Sequence, residues 1–474
     1  MELPYRGSGK IYYNDKEYQC DLYYKVKSEG VILKINIKNN KALGNNPEVP
    51  LKIPYLGGEL TSGFRFGLLQ LSRIKTQYSV PNRTSIYTYN AEYIFCGIDE
   101  HELKGPTFHK AEYTLSNIIK WGGESVYTIG EQNELIQKSD KASRVIYKGL
   151  NFRISYFVAG SFLPPIINQD LLIEHIKLEQ HGIIAIEFEK EVEFNCLHET
   201  FEKLKRLIEI ALIGRVNVEN VDVYSSNYSE QFGNTIVEQP IKVYGKGIQE
   251  SEIKMISQRK SWSWISLSDL IEQNSFEHYF ENHEKLAPII ELFLEPFYVE
   301  KISATRMFLN LTQALETYHS RFVTNDLNKF KDRVENFVKG MPENSAEEIR
   351  KFLMANSKKF ITLESRIADL LYANRKIYFD TGEIKCTDFP SVIAHTRHYY
   401  VHYDESIKQK YRVLSEEELQ IYIRALFQIL EYHILLELGF SNDHCELSKK
   451  LKDRWGKISD DLAILRESKL QNHV

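Results

Sequence analysis

The sequence predicts an α+β chain: a mostly-β amino-terminal domain, residues 1–265, followed by an all-α helical bundle, residues 266–474. Three observations lead to this. Apolar residues alternate with period two through the first half. After the segment SWSWISLSDLI the period changes to three-and-four and stays there. The 29 Tyr and 25 Phe against 13 Pro favour β-structure in at least one domain. A chain of 474 residues also exceeds one typical core, so two or three domains are expected.

The elements follow in order. In VILKINIK, Leu33, Ile35 and Ile37 face one way, and Lys34, Asn36 and Lys38 the other. NFRISYFVAG repeats the pattern through Phe152, Ile154, Tyr156 and Val158, and IIAIEFEKEVEF through Ile184, Ile186 and Phe188. VNVENVDV places Val216, Val218, Val221 and Val223 in the same series. LGGELTSG and ALGNNP read as turns between such runs. One helix is expected among the strands: ETFEKLKRLIEIAL carries Phe201, Leu204, Leu207, Ile208 and Ala211 on one stripe.

Further on, ISATRMFLNLTQALETYHSRF sets Phe308, Leu311, Leu315, Tyr318 and Phe322 at helical spacing. SEEELQIYIRALFQILEYHILLELG has Ser415 as cap, Glu418 closing a capping box and Gly439 as stop, with an interior apolar nearly all round. That suits the central helix of a bundle, joined by the helices of ENHEKLAPIIELFLEPF and KKFITLESRIADLLYANR.

The formal charge of −5 argues against a protein that coats nucleic acid by bulk attraction. Residues 301–474 carry 27 Lys and Arg against 25 Asp and Glu, whereas residues 1–300 carry 33 against 40, so the carboxy-terminal part is the less repulsive to a polyanion. Five widely spaced cysteines, with no CxxC pair, support neither a disulfide framework nor a zinc ribbon. The opening residues lack an apolar signal core, and no apolar run approaches the roughly 18 residues of a membrane span. The expectation is a cytoplasmic protein with no membrane contact. Residues 1–265 show no Walker motif, dinucleotide fingerprint or nucleophile elbow. FRFG (64–67) and WGG (121–123) are expected to be core.

PSVIAHTRHYYVHYDES, residues 390–406, is the stretch that asks for chemistry. Asp388 is the expected N-cap and Pro390 fits a first turn, so a helix should run from Phe389 to Tyr403. At about 100° per residue, Phe389, Ile393, Ala394, Tyr400 and Val401 share an arc, with Arg397 in its middle. A guanidinium buried there needs a carboxylate, a subunit interface or a phosphate. Glu316, on another amphipathic helix, is a candidate partner.

His395, His398 and His402 fall on an adjoining arc. Three histidines so spaced raise a metal site, but no HExxH, carboxylate cluster or Cys pair accompanies them. A crowded but inert bundle helix is the bland alternative.

Arg397 and His402 form an R-x4-H unit suited to RNA cleavage. The ribose 2′-OH attacks the adjacent phosphorus once histidine manages the protons and arginine stabilises the charge on the phosphate oxygens. No metal or other cofactor is required. Two residues five apart lie about 140° round the helix from each other, so a two-fold dimer, with each Arg397 beside the facing His402, would assemble the site better than one copy.

RHYYVHYD (397–404) resembles the R-x4-6-H signature of the HEPN ribonucleases in their ApeA-like branch, and LTQALETYHSRF resembles that branch's earlier helix, with Glu316 at its glutamate. The resemblance covers nearly the whole chain, β-rich domain and terminal bundle alike. It implies a metal-independent, usually dimeric endoribonuclease that disables RNA during phage infection, causing abortive infection. Carried over, Arg397 and His402 are the catalytic pair. His398 takes the polar place after the arginine, where the superfamily more often has Asn, Asp or a small polar group. Glu316 orients Arg397, and Tyr403 and Asp404 are RNA contacts or a helix-end cap. A structured RNA with exposed loop bases, such as a tRNA, is the expected substrate. The amino-terminal domain is expected to restrain the nuclease and to answer a phage-encoded trigger. The competing readings are a catalytically inactive HEPN adaptor and a metal-dependent hydrolase built on the three histidines.

Overall fold

The computed structural model describes residues 6–441, apart from 15, 26–29, 39–48, 80–83, 99–104, 117, 132–134, 138–142, 169–172, 233–234, 249–264, 300, 324–325, 358–361 and 373–387. The turn expected at ALGNNP and the first residues of SWSWISLSDLI lie outside the described residues. The chain divides into two compact units. The first takes Met1–Ile208, Arg215–Ile256 and Ser266–Ser268, and the second Glu209–Gly214, Ser257–Ile265 and Asp269–Val474.

In the first unit, strands β1 (Arg6–Tyr13), β2 (Lys16–Lys25), β3 (Gly30–Lys38), β4 (Lys52–Leu60), β5 (Arg65–Ser79) and β6 (Thr84–Cys96) pair in the order β6-β3-β2-β1-β4-β5, and β5 pairs again with β6. The six antiparallel strands thus close into a barrel with no free edge. Period-two alternation supplies its interior: Ile11, Leu22, Leu33, Ile35, Leu68 and Tyr89 belong to one buried cluster.

LGGELTSG is a correction. Gly57 and Gly58 lie inside β4 rather than in a turn, which begins only at Thr61. A Cβ on Gly58 would meet Lys10 O at 2.6 Å, and one on Gly67, opposite Gly57, would meet the Tyr55 hydroxyl at 2.2 Å. These glycines serve close approach within the barrel, which a composition-based turn signal does not separate from loop glycines.

The sheet continues through β7 (Thr107–Leu115), a short helix α1 (Ile118–Gly122), the small hairpin β8 (Tyr127–Ile129) and β9 (Leu135–Gln137), then β10 (Arg144–Lys148), β11 (Phe152–Asn168) and β12 (Ile173–Glu193). After helix α2 (Phe194–Leu212) come β13 (Val218–Tyr224), the hairpin β14 (Ser229–Phe232) and β15 (Thr235–Glu238), and β16 (Ile241–Gly245). From β6 the order runs β16, β13, β7, β12, β11, β10. The valine series that skips from 218 to 221 has a local cause: the β13–β7 register shifts between Val218 and Asn220, where one extra residue restores the inward face. Phe201 of α2 stacks on Tyr113 of β7 at 3.7 Å between ring centres. Phe66 and Trp121, from the FRFG and WGG segments, are buried as core.

The second unit is helical, matching the predicted change of period. Its helices are α3 (Leu267–Glu272), α4 (Ser275–Tyr298), α5 (Ala304–Phe322), α6 (Asp326–Val338), α7 (Glu343–Ala355), α8 (Leu363–Tyr372), α9 (Phe389–His402), α10 (Glu405–Lys410) and α11 (Glu416–Glu437). Helix α11 packs on α4 and α5, and α5 also meets α8 and α9. Ser415 and Glu418 form the reciprocal capping box, and Gly439, at φ +91°, ends the helix. The Ser275 hydroxyl donates to Leu438 O at 2.7 Å, tying the end of α11 to the start of α4. No helix among the described residues is long and apolar enough to cross a membrane.

Candidate active site

Three helices bring the site residues together. On α5, Leu311, Ala314, Leu315 and Tyr318 are buried, which leaves Glu316 on the flank. On α8, Ile367 and Leu370 are buried, which leaves Arg366 and Asp369 beside α5. Glu316 and His319, three apart on one helix, meet Arg366 and Asp369, three apart on the other: Arg366 donates to Glu316 at 3.2 Å, and His319 Nε2 lies 3.2 Å from the Asp369 carboxylate. Equal spacing puts each pair on one face, so the two contacts set the helices in register.

Arg397 reaches the same carboxylate from α9. Its Nη2 stands 4.0 Å from Glu316 Oε2, at the limit of an ion pair, while Arg366 holds the closer contact. Arg397, the more distant partner, takes the smaller share of this carboxylate's attraction. Glu316 therefore does touch Arg397, but as a shared counter-ion. Arg366 was missing from the sequence-based site. SRIADLL shows a helix face, but nothing in it shows which helix lies opposite.

The burial of Arg397 is a correction. The buried face of α9 is Phe389, Val392, Ile393, Thr396 and Tyr399, and the Arg397 side chain lies beside it, 40% exposed. Val401, placed by the sequence on the apolar arc, is exposed. The displacement follows from Thr396. Its hydroxyl accepts from the Leu414 backbone N–H at 3.1 Å, so a polar residue occupies the centre of the buried face and turns the helix. Asp388 is a second correction: it sits at the N-cap position in helical conformation, and its side chain makes no capping hydrogen bond.

The three histidines do not converge. The His395 ring stacks on Tyr411 at 3.9 Å. His398 and His402, both exposed, stand 4.7 Å apart between ring centres at the end of α9. Among the described residues no group of three His, Cys, Asp or Glu side chains is gathered for a metal.

Beyond His402 the backbone reverses. Tyr403 takes a left-handed conformation, φ +52°, and the residue is 66% exposed. The Asp404 carboxylate accepts from Ser406 N at 2.9 Å and caps α10. The Ser406 hydroxyl first, and then this backbone N–H, hold the carboxyl below its usual range, and the nearby His398 adds to the effect. Tyr399 donates to Glu405 at 3.0 Å and carries Lys408 over its ring at 4.1 Å, so the turn is fixed on both sides of the histidine pair.

The arrangement is a rigid helix end that presents a partly compensated guanidinium and two exposed imidazoles. One group can meet phosphate oxygens and the others can exchange protons.

Comparison with family models finds ApeA N-terminal domain 1 over residues 4–282 and Apea-like HEPN over residues 309–444. Neither a curated protein nor a solved structure gives a match. The HEPN match contains α8, α9 and the part of α5 that carries Glu316, and the amino-terminal match covers more than half of the chain. The chain therefore belongs to the ApeA-like HEPN family, whose architecture joins an ApeA amino-terminal domain to a HEPN nuclease domain and implies anti-phage defence.

Proposed function

We propose that the chain is a metal-independent endoribonuclease that cleaves RNA during phage infection and so causes abortive infection. The observation that carries this is the partly exposed Arg397 guanidinium, at the limit of an ion pair with a carboxylate that Arg366 holds more closely, with exposed His398 and His402 on the same helix. In the proposed reaction His402 takes the proton from a ribose 2′-OH as O2′ bonds to phosphorus. The P–O5′ bond breaks, and the leaving oxygen takes up a proton. Arg397 stabilises the charge gathered on the phosphate oxygens. The products are a 2′,3′-cyclic phosphate and a 5′-hydroxyl. His398, beside His402, is the second proton-handling group of the proposal, and Tyr403, exposed past the helix end, is an RNA contact. Asp404 acts by fixing the turn that carries Tyr403.

The dimer belongs to the same proposal. Arg397 and His402 lie about 140° apart round α9, so two copies related by a two-fold axis would set each Arg397 beside the facing His402. The RNA is expected to be structured with exposed loop bases, a tRNA for example, because in-line attack needs a flexible phosphodiester. The acidic amino-terminal domain would restrain the nuclease until a phage-encoded trigger arrives, and the protein would act in the cytoplasm.

The test is purified full-length chain with total RNA in EDTA, with and without lysate of phage-infected cells, against Arg397→Ala and His402→Ala. Cleavage in EDTA that both variants lose supports the proposal. No cleavage under any of these conditions favours an adaptor that binds through its helical domain. Activity that requires an added divalent ion and His395 favours the metal-dependent reading.

A further inference from the structure

Glu316 is reached from two sides, and each side takes a different oxygen. Arg366 Nη1 donates to Oε1 at 3.2 Å from α8, whereas Oε2 is the atom that faces Arg397 Nη2 at 4.0 Å from α9. A glutamate on a helix flank turns about several bonds, so an unheld carboxylate would spend little time in any one orientation. Arg366 is also the more sheltered of the two guanidiniums, 21% exposed against 40% for Arg397. A pair set back from bulk water is screened less by salt than one at the open surface.

The helix that carries Arg366 is itself fixed at two further points. The Asp369 carboxylate lies 3.2 Å from Nε2 of His319, which is wholly buried on α5, and Leu370 O accepts from His433 Nε2 at 3.1 Å from α11. Asp369 and Leu370 both lie about one turn beyond Arg366, on a helix that also buries Ile367 and Leu370. Arg366 therefore projects from a segment with little freedom to shift, and its guanidinium meets Glu316 from a set direction. The ion pair between α6 and α7 makes a contrast. There Arg350 donates to both oxygens of Glu335, at 2.7 and 3.0 Å, so one guanidinium occupies the whole carboxylate. Arg366 takes one oxygen of Glu316 and leaves the other turned toward Arg397.

We propose that Arg366 is a positioning residue of the candidate active site: by holding Glu316 through Oε1 it turns Oε2 toward Arg397 and sets the place of that guanidinium. The inference rests on the proposed role of Arg397 at the RNA phosphate and extends it to a helix outside the R-x4-H motif. Arg366 itself takes no step in the reaction. Its effect travels through Glu316, which separates it from a cation that meets RNA directly and from an ion pair that only joins α5 to α8. A guanidinium set beside the phosphate in advance needs no reorganisation as charge develops there, so misplacing it slows the chemical step more than it weakens binding.

The experiment is RNA cleavage by the full-length chain and by Arg366→Gln, Arg366→Lys, Glu316→Ala and the double variant Arg366→Gln/Glu316→Ala, each well below its melting temperature, with infected-cell lysate wherever the wild type requires it. Arg366→Gln is expected to lower kcat about tenfold while KM stays within about twofold. Arg366→Lys, which keeps a charged donor, is expected to lose less than Arg366→Gln. In the Glu316→Ala background the change Arg366→Gln is expected to cost less than about twofold, since the group through which it acts is already gone. Unchanged cleavage by Arg366→Gln, equal losses in both backgrounds, or a loss confined to KM overturns the proposal and leaves the nuclease reading standing. Absence of cleavage by the wild type overturns the nuclease reading and this role with it.

Discussion

Two histidine-bearing stretches of the helical unit differ in what surrounds their imidazoles. In the middle of α11, His433 is buried; its Nε2–H donates to Leu370 O at 3.1 Å, and its ring lies against Tyr318 at 5.0 Å. Burial pushes it down to about 4, so it stays neutral near neutral pH. At the end of α9, His398 and His402 face solvent beside one another, on the helix whose Arg397 shares the Glu316 carboxylate with Arg366. Residue type is the same in both places. What differs is whether each polar group already has its partner inside the fold, and that decides which stretch is free to act on something else.

The sharpest way to break the comparison is to remove one member of each pair. Arg397→Ala and His402→Ala are each expected to lower RNA cleavage by about 10²- to 10⁴-fold, while urea denaturation shifts by no more than about 0.5 kcal/mol because both side chains are largely at the surface. Mixing the two inactive variants is expected to restore part of the activity if the dimer places Arg397 of one copy beside His402 of the other. Cleavage assays on the mixture check this.

His433 should show the opposite behaviour. Its proton affinity is lower in the folded than in the unfolded chain, so its contribution to stability is complete above about pH 6.5 and is lost as pH falls toward 4. The loss is about 3 kcal/mol on a scale of 1.36 kcal/mol per pH unit. Urea denaturation between pH 7 and pH 4.5 should show a shallower acid loss in His433→Gln than in the wild type. Thr396→Val comes next: it leaves the buried Leu414 N–H without its acceptor, at a cost of about 1–3 kcal/mol, read as a shift in the denaturation midpoint.

Glu316→Gln removes the counter-ion shared by Arg366 and Arg397 and is expected to reduce cleavage about tenfold, or 1.4 kcal/mol, with a stability loss of about 1 kcal/mol from the Arg366 contact. His395→Ala is the smallest effect. Its ring is occupied by Tyr411, so cleavage should stay within about twofold of wild type, whereas a metal site using His395 would lose activity altogether.

Most of the fold was legible. Alternation in VILKINIK and NFRISYFVAG located strands whose inward residues are buried, and the capping box at Ser415 and Glu418 fixed the start of α11. Barrel closure was not legible, because the pairing of β5 with β6 is a long-range fact of topology, and Gly57 and Gly58 read as turn residues until the neighbouring strand supplied a reason for them. In the candidate site, R-x4-H drew attention to α9. The orientation of that helix was misjudged because buried Thr396 counts as polar in a periodicity and behaves as core once Leu414 donates to it. Arg366 and Tyr411 were invisible for a related reason: each matters through a neighbour distant in sequence.

The chemistry of the cut ends tests the central claim most directly. RNA incubated with full-length protein in EDTA, then mapped for its termini, is predicted to carry 2′,3′-cyclic phosphates and 5′-hydroxyls, and to stay intact with Arg397→Ala or His402→Ala. Ends bearing 3′-hydroxyl and 5′-phosphate, or cyclic ends produced equally by the two variants, would contradict it.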